Sequence, residues 1–273
     1  MEARKWENLN SDCLVNVFGR LDLETRILDI PLVCKQWHQA LLNPLCWQKL
    51  VFPVNISGSR LAYHAFQCGG SFDYISGLIK FVVDWSDGCA TTLVLPPHTT
   101  KDDLVYVSNA CPFLKTLSLP RILLDDYGDN VSELIVKWKS LEVVKLGSSS
   151  YVVQIIDQIS LHCKNLVGLS IAFAQIDGEI ASTIVSKLAT IKCLALNNAI
   201  LEKEHLKVIL LGCKELELLY VPDCVGFDED DEEIIKLASR IKDFRCQGST
   251  LYEFEDDGHI SHDELVYGDC NSD

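Results

Sequence analysis

The segment EFEDDGHISHDE (253–264) sets Glu253, Glu255, Asp257, Gly258, Ile260 and Glu264 at positions 1, 3, 5, 6, 8 and 12 of a twelve-residue loop. Oxygen ligands at that spacing, turning on a glycine at position 6, are how a protein wraps a calcium ion. Glutamate stands where such loops begin with aspartate, QGST (247–250) interrupts any helix leading in, and nine residues remain for one leading out. The segment therefore reads as a solvated acidic tail suited to a basic target, with calcium-responsive binding as a contrasting reading. A second acidic run, FDEDDEEII (227–235), suits a helix start: Asp228 is placed as the N-cap and the following acids in the first turn, where the helix dipole favours them. His162 and Cys163 have the makings of a base and a thiol nucleophile, but Cys163 holds a repeat position that predicts a buried, inert thiol. The sequence has no glycine-rich phosphate loop, nucleophile elbow or zinc-helix motif. The reading assigns no catalytic residue, no metal ligand and no cofactor, so the chemistry on offer is binding.

Composition narrows the setting. A chain of 273 residues, 48% hydrophobic, can bury a substantial core. The N-terminus MEARKWENLN is charged and lacks the apolar core of a secretion signal, and no apolar run approaches the roughly 20 residues that span a bilayer. The twelve cysteines, never spaced Cys-x-x-Cys, read as reduced, buried small hydrophobes. Nucleus or cytoplasm is the expected location, without a membrane. The net charge of −15 is concentrated: residues 223–273 hold sixteen acids against four bases, which argues against a nucleic-acid partner there.

The elements that position any binding surface are announced by a repeat. CPFLKTLSLP (111–120), WKSLEVVKLG (138–147), CKNLVGLSIA (163–172), LATIKCLALN (188–197) and CKELELLYVP (213–222) share one pattern. Leu93, Leu117, Val144, Leu169, Leu194, Leu219 and Phe244 mark its centres, and the last four intervals are all 25 residues. A Leu-x-Leu pair is a short strand with both leucines on one face. Between strands, Val152, Ile155, Ile156 and Ile159 recur at helical spacing, as do Leu201, Leu206, Ile209 and Leu210. Each unit is helix then strand, unable to bury its apolar face alone, so about seven must stack into one core.

This pattern resembles the leucine-rich repeat of the cysteine-containing kind over residues 88–252. The resemblance implies an α/β solenoid with a parallel sheet on its concave side. The family's Asn/Cys position after each strand is His98, Ile122, Ser149, Ala174, Ala199, Cys224 and Ser249; only Cys224 fits, so irregular convex loops are expected.

Residues 8–50 follow another rule. Leu9, Leu14, Val17, Phe18 and Leu21 mark a helical face with Ser11 as its expected N-cap, Ile27, Ile30 and Val33 continue it, and Cys34, Trp37 and Leu41 mark a further helix before Pro44 and Trp47. Three short helices have little private core and need either a repeat to cap or a partner. The order Leu9, Leu14, Val17-Phe18, Leu21, then Leu32-Val33-Cys34-Lys35, Trp37, Pro44 and Trp47 closely resembles the F-box, with Asn10 where that family has proline. The resemblance implies that these residues, with Ile27, bind the Skp-type adaptor of a cullin–RING ubiquitin ligase. An F-box with leucine-rich repeats looks like the F-box/leucine-rich-repeat family, and IKFVVDWSDGCATTLVLP (79–96) is reminiscent of its plant members. Such proteins are non-catalytic substrate receptors; the contrasting reading is a repeat scaffold or inhibitor outside any ligase.

The expected organisation is 1–52 F-box, 53–87 connecting segment, 88–252 repeats and 253–273 acidic tail. A protein target would meet the residues that alternate with the buried leucines. The middle strands offer small residues such as Ser170 and Asn197, while the later ones offer Leu218, Tyr220, Asp243 and Arg245, several of them types favoured at hot spots. Two explanations stand for the small residues: relief of crowding on the inside of the curve, or a shallow recess for a partner.

Overall fold

Asn10, not Ser11, caps the first helix: its Oδ1 accepts from the Asp12 N–H at 2.9 Å, and Ser11 is the first helical residue. The computed structural model describes residues 9–53, 58–67, 74–148 and 150–251. They fall into two compact units, Met1–Lys115 and Thr116–Asp273. Ser149 and the calcium-loop reading at 253–264 lie outside the described residues.

The first unit opens with α1 (Ser11–Phe18), α2 (Leu23–Leu28), α3 (Ile30–Val33), α4 (Lys35–Leu41) and a 3-10 turn at Pro44–Trp47. The expected middle helix is thus two. Pro31 has no N–H and disfavours helical geometry in the residue before it, so the chain breaks at Asp29, which ends α2 and begins α3. Then come β1 (Lys49–Val51), α5 (Arg60–Gln67), α6 (Tyr74–Ser86), β2 (Thr92–Val94) and α7 (Lys101–Ala110). Strand β1 runs parallel to β2 with Leu50 opposite Leu93. Three residues are too few to show strand alternation in a sequence, which is why β1 went unannounced inside the expected N-terminal module.

The second unit is built from β3 (Thr116–Leu119), α8 (Arg121–Leu134), β4 (Val143–Gly147), α9 (Val152–His162), β5 (Gly168–Ala172), β6 (Gln175–Ile176), α10 (Gly178–Lys187), β7 (Cys193–Ala195), β8 (Ile200–Leu201), α11 (Lys203–Gly212), β9 (Leu218–Tyr220), α12 (Glu232–Ala238) and β10 (Asp243–Arg245). Strands β3, β4, β5, β7, β9 and β10 pair in that order, all parallel. Leu117, Val144, Leu169, Leu194 and Leu219 stand opposite one another and are wholly buried. Helix α9 buries Val152, Ile155, Ile156 and Ile159, and α11 buries Leu206, Ile209 and Leu210, as their spacing predicts. Parallel strands need a crossover, and here each is a helix or helical segment.

The loops after the strands are more regular than the sequence suggests. Strands β6 and β8 form a second small ladder, continued by bridges from Ile200 to Val225 and from Val225 to Thr250. The turn before each rung has one residue of positive φ: Phe173 (56°), Asn198 (52°), Asp223 (54°) and Gly248 (79°). Ser249 does what only Cys224 was expected to do, since its hydroxyl accepts from the Cys224 N–H at 3.0 Å and donates to the Val221 carbonyl at 2.7 Å. Irregularity is confined to the start, where α8 follows Pro120 at once. There the Arg121 backbone nitrogen would lie 2.5 Å from any Cβ at Gly147, so that position needs glycine. Among the described residues no helix is long and apolar enough to cross a membrane.

Candidate protein-interaction surfaces

The structure separates the sequence-predicted F-box residues into those that hold the module and those that face out. Leu14, Phe18 and Trp47 are wholly buried, so they are packing residues and offer no surface. The Trp47 indole donates to the Leu41 carbonyl at 2.8 Å and meets the Trp85 ring edge-on at 4.9 Å. Leu9, Leu21, Ile27, Cys34, Trp37 and Pro44 are half-buried, with the Trp37 ring 5.3 Å from that of Phe18. Asn10 and Lys35 are exposed. The apolar side chains left in water are Val17, Leu32 and Val33, and Leu32 is 85% exposed and Val33 55%. Leu42 and Leu45, absent from the sequence reading, are exposed too.

Arg26 was missed altogether. It is buried, its guanidinium donates to the Cys46 carbonyl at 2.5 Å and the Lys49 carbonyl at 2.6 Å, and it lies 5.0 Å from the centre of the Trp47 ring. Desolvation lowers its pKa from the ordinary arginine value, opposed by nearby Cys46 and Asp22. An arginine between Thr25 and Ile27 carries no sequence signal of this, because its partners are backbone carbonyls twenty and more residues away.

In the second unit, the strand faces alternate with the buried leucines. Register places Ser118 opposite Lys145, Lys145 opposite Ser170, Ser170 opposite Ala195, Ala195 opposite Tyr220, and Tyr220 opposite Arg245. At the far end of this row the structure brings the sequence-predicted Tyr220, Asp243 and Arg245 together. Arg245 makes two bonds to Asp243 at 2.9 and 3.0 Å, lies 5.1 Å from the centre of the Tyr220 ring, and Tyr220 Oη donates to Asp243 at 2.8 Å. Those bonds hold the Asp243 carboxyl below the usual carboxylate range, Arg245 first and Tyr220 second. Leu218 is half-buried against Val143, Cys193 and Ala195. The middle of the row corrects the sequence reading. Ser170 is fully buried and Asn197 nearly so, and neither Ser170 Oγ nor Asn197 Oδ1 has a hydrogen-bond partner. Neither is an open contact point in this structure. Sequence alternation gives the direction of a side chain, not what lies over it.

The acidic run caps and lines a helix start, and the repeat cysteines are buried. Asp231, not Asp228, caps α12, accepting from the Glu233 and Ile234 N–H groups at 3.0 and 3.1 Å, while Asp228 accepts from the Asp230 N–H. Lys203 binds Asp231 and Glu233 at 2.8 and 3.0 Å, and Lys207 binds Glu233 at 2.9 Å. Two of the six acids of the run, Asp231 and Glu233, are therefore paired with lysines of the neighbouring α11. Ten cysteines are described, all free thiols. Burial pushes Cys111, Cys163 and Cys213 up to about 11 and Cys224 up to about 12, which keeps them protonated and unreactive.

A family model for the F-box domain matches residues 6–49. An F-box/LRR-repeat protein of Arabidopsis thaliana is 26% identical over 230 residues, covering 80% of this chain and 72% of its own length. The F-box protein FBW2 of the same plant is 27% identical over 242 residues, covering 85% of this chain and 72% of its own. Among solved structures, the leucine-rich repeat-containing protein LegL7 from Legionella pneumophila covers 86% of this chain and 78% of its own, at 12% identity and a TM-score of 0.43. The strand ladder itself sets the fold. The chain thus joins an N-terminal segment that matches the F-box model to helix–strand repeats, and is similar along most of its length to Arabidopsis F-box/LRR-repeat proteins.

Proposed function

We propose that the chain is the substrate-receptor subunit of a Skp–cullin–F-box ubiquitin ligase, working in the nucleus or cytoplasm. The N-terminal module docks on the Skp-type adaptor, and through it on the cullin and RING subunits. The repeats hold a protein target, with Leu218, Tyr220, Asp243 and Arg245 as its contact end. The chain makes and breaks no bonds; it raises the local concentration of a target lysine beside a charged ubiquitin carrier.

One observation carries this reading. The module completes its own core with Leu14, Phe18, Leu23, Leu41 and Trp47, yet leaves Leu32 and Val33 side by side in water. Apolar side chains that a finished core does not use mark a surface meant for another protein. The test is co-purification of the full chain with a Skp-type adaptor, alone and with Leu32→Asp plus Val33→Asp. Loss of the adaptor with unchanged thermal unfolding supports the proposal. A wild-type chain that never retains the adaptor, or a double variant that still does, overturns it.

A further inference from the structure

Strand β10 ends the sheet: it pairs with β9 on one side, and among the described residues nothing pairs with it on the other. The Asp243 N–H donates to the Glu217 carbonyl at 3.2 Å, and the Arg245 carbonyl accepts from the Val221 N–H at 2.8 Å. Those two residues turn their backbone groups to β9, so by strand alternation the N–H and C=O of Phe244 point outward. The core is unfinished at the same place. Leu117, Val144, Leu169, Leu194 and Leu219 are wholly buried, whereas Phe244, the next in that row, is only half-buried. On α12, Glu233 faces α11 through Lys207. Ile235 lies two residues, or about 200°, further round the helix, on the side away from α11, and is 48% exposed. A solenoid end with an open strand edge and uncovered apolar side chains calls for a cap.

We infer that the cap is a second copy of this chain, the two β10 strands pairing antiparallel about a twofold axis at Phe244. The strand reads Asp243-Phe244-Arg245, so its charges complement themselves when the strand is reversed. Centred on Phe244, the pairing sets each Asp243 opposite the other copy's Arg245 and lets the two Phe244 residues exchange both N–H···O=C bonds. Asp243 and Arg245 already bond to each other within one chain, at 2.9 and 3.0 Å. The axis therefore joins two neutral pairs into one row of alternating charge and supplies no missing counter-ion. Charge also rejects the other registers. A slide of two residues puts Asp243 opposite Asp243 or Arg245 opposite Arg245, and a slip of one turns a strand's side chains to the wrong face. An axis normal to the sheet keeps both Phe244 side chains on the core side and turns the Ile235 flanks of the two α12 helices toward each other. The pair sets two Tyr220–Arg245 ends edge to edge. The inference stands whether or not the chain joins a ligase.

Sedimentation of the full chain across a concentration series tests it. The wild type should dimerise with a dissociation constant on the order of 10 μM. Arg245→Asp, which sets like charges opposite each other, should weaken the dimer at least about tenfold. Adding Asp243→Arg to that variant restores opposite charges in reversed order and should recover most of the loss. Circular dichroism and thermal unfolding control for folding. In the wild-type chain, exchange of the Phe244 amide hydrogen should slow about tenfold between a dilute and a dimeric sample, while the Leu194 amide, inside the sheet, behaves alike in both. A chain still monomeric at about 100 μM overturns the inference. So does a dimer that Arg245→Asp leaves intact, one that the double variant fails to restore, or one whose Phe244 amide exchanges as fast as in the monomer.

Discussion

In the N-terminal module two apolar side chains, Leu32 and Val33, stand in water, whereas on the sheet of the second unit a lysine and two serines are shut away from it. The two surfaces depart from solvent preference in opposite senses, and the energetics differ accordingly. Covering an exposed leucine or valine gains about 1.5–3 kcal/mol per side chain, so the first surface gains by docking and loses nothing by waiting. Buried hydroxyls without a partner are costly, so the second surface would favour only contacts of matching polar chemistry. The first favours affinity for a constant partner. The second favours discrimination.

The comparison breaks most readily at the platform beneath the exposed pair. Trp47→Ala should cost about 3–5 kcal/mol in chemical denaturation, since it removes a buried ring and orphans the Leu41 carbonyl, and adaptor co-purification should fall with the fold. Leu32→Asp with Val33→Asp should leave the denaturation midpoint in place while weakening adaptor binding by about 2 kcal/mol, roughly thirtyfold by calorimetric titration. If both variants lose stability equally, the exposed pair belongs to the core after all. Tyr220→Ala with Arg245→Ala removes the stacked pair at the contact end, and should erase a set of proximity-labelled proteins while the adaptor remains bound. Asn10→Ala should cost about 1 kcal/mol, the usual worth of a helix cap, measured by thermal unfolding. The smallest effect is acid sensitivity. Lys203, Lys207 and Arg245 hold the carboxyls of Asp231, Glu233 and Asp243 below the usual carboxylate range. Depressed native values mean that their contribution is present above the unfolded value of about 4 and lost as pH falls through the native ones. Melting temperature should therefore hold down to about pH 4 and drop only below it, more steeply than in Lys203→Met, which lacks one of these cations.

Much of the scaffold was legible because it depends on spacing. Leu169, Leu194 and Leu219 sit in strands, and Val152, Ile155, Ile156 and Ile159 on a buried helix face, as periodicity requires. Caps were less legible: several acids in the run at 227–235 can cap, and only the chain path shows that Asp231 does. Arg26 was invisible, since backbone carbonyls carry no sequence label. The covered state of Lys145, Ser170 and Asn197 was invisible for a different reason. Alternation tells which way a side chain points, and burial depends on the packing of the whole fold around it.

The left-handed residues at 173, 198, 223 and 248 stand 25 apart, and so do the paired positions Gly168, Cys193, Leu218 and Asp243. A splice at any one of these joints therefore meets the same backbone geometry on both sides. Whole cassettes of 25 residues can be gained or dropped with like rejoined to like, while a single-residue slip would turn the strand's leucines to the wrong face. The quantum of change in this half of the molecule is the cassette. Its length can vary by duplication without the invention of a new turn.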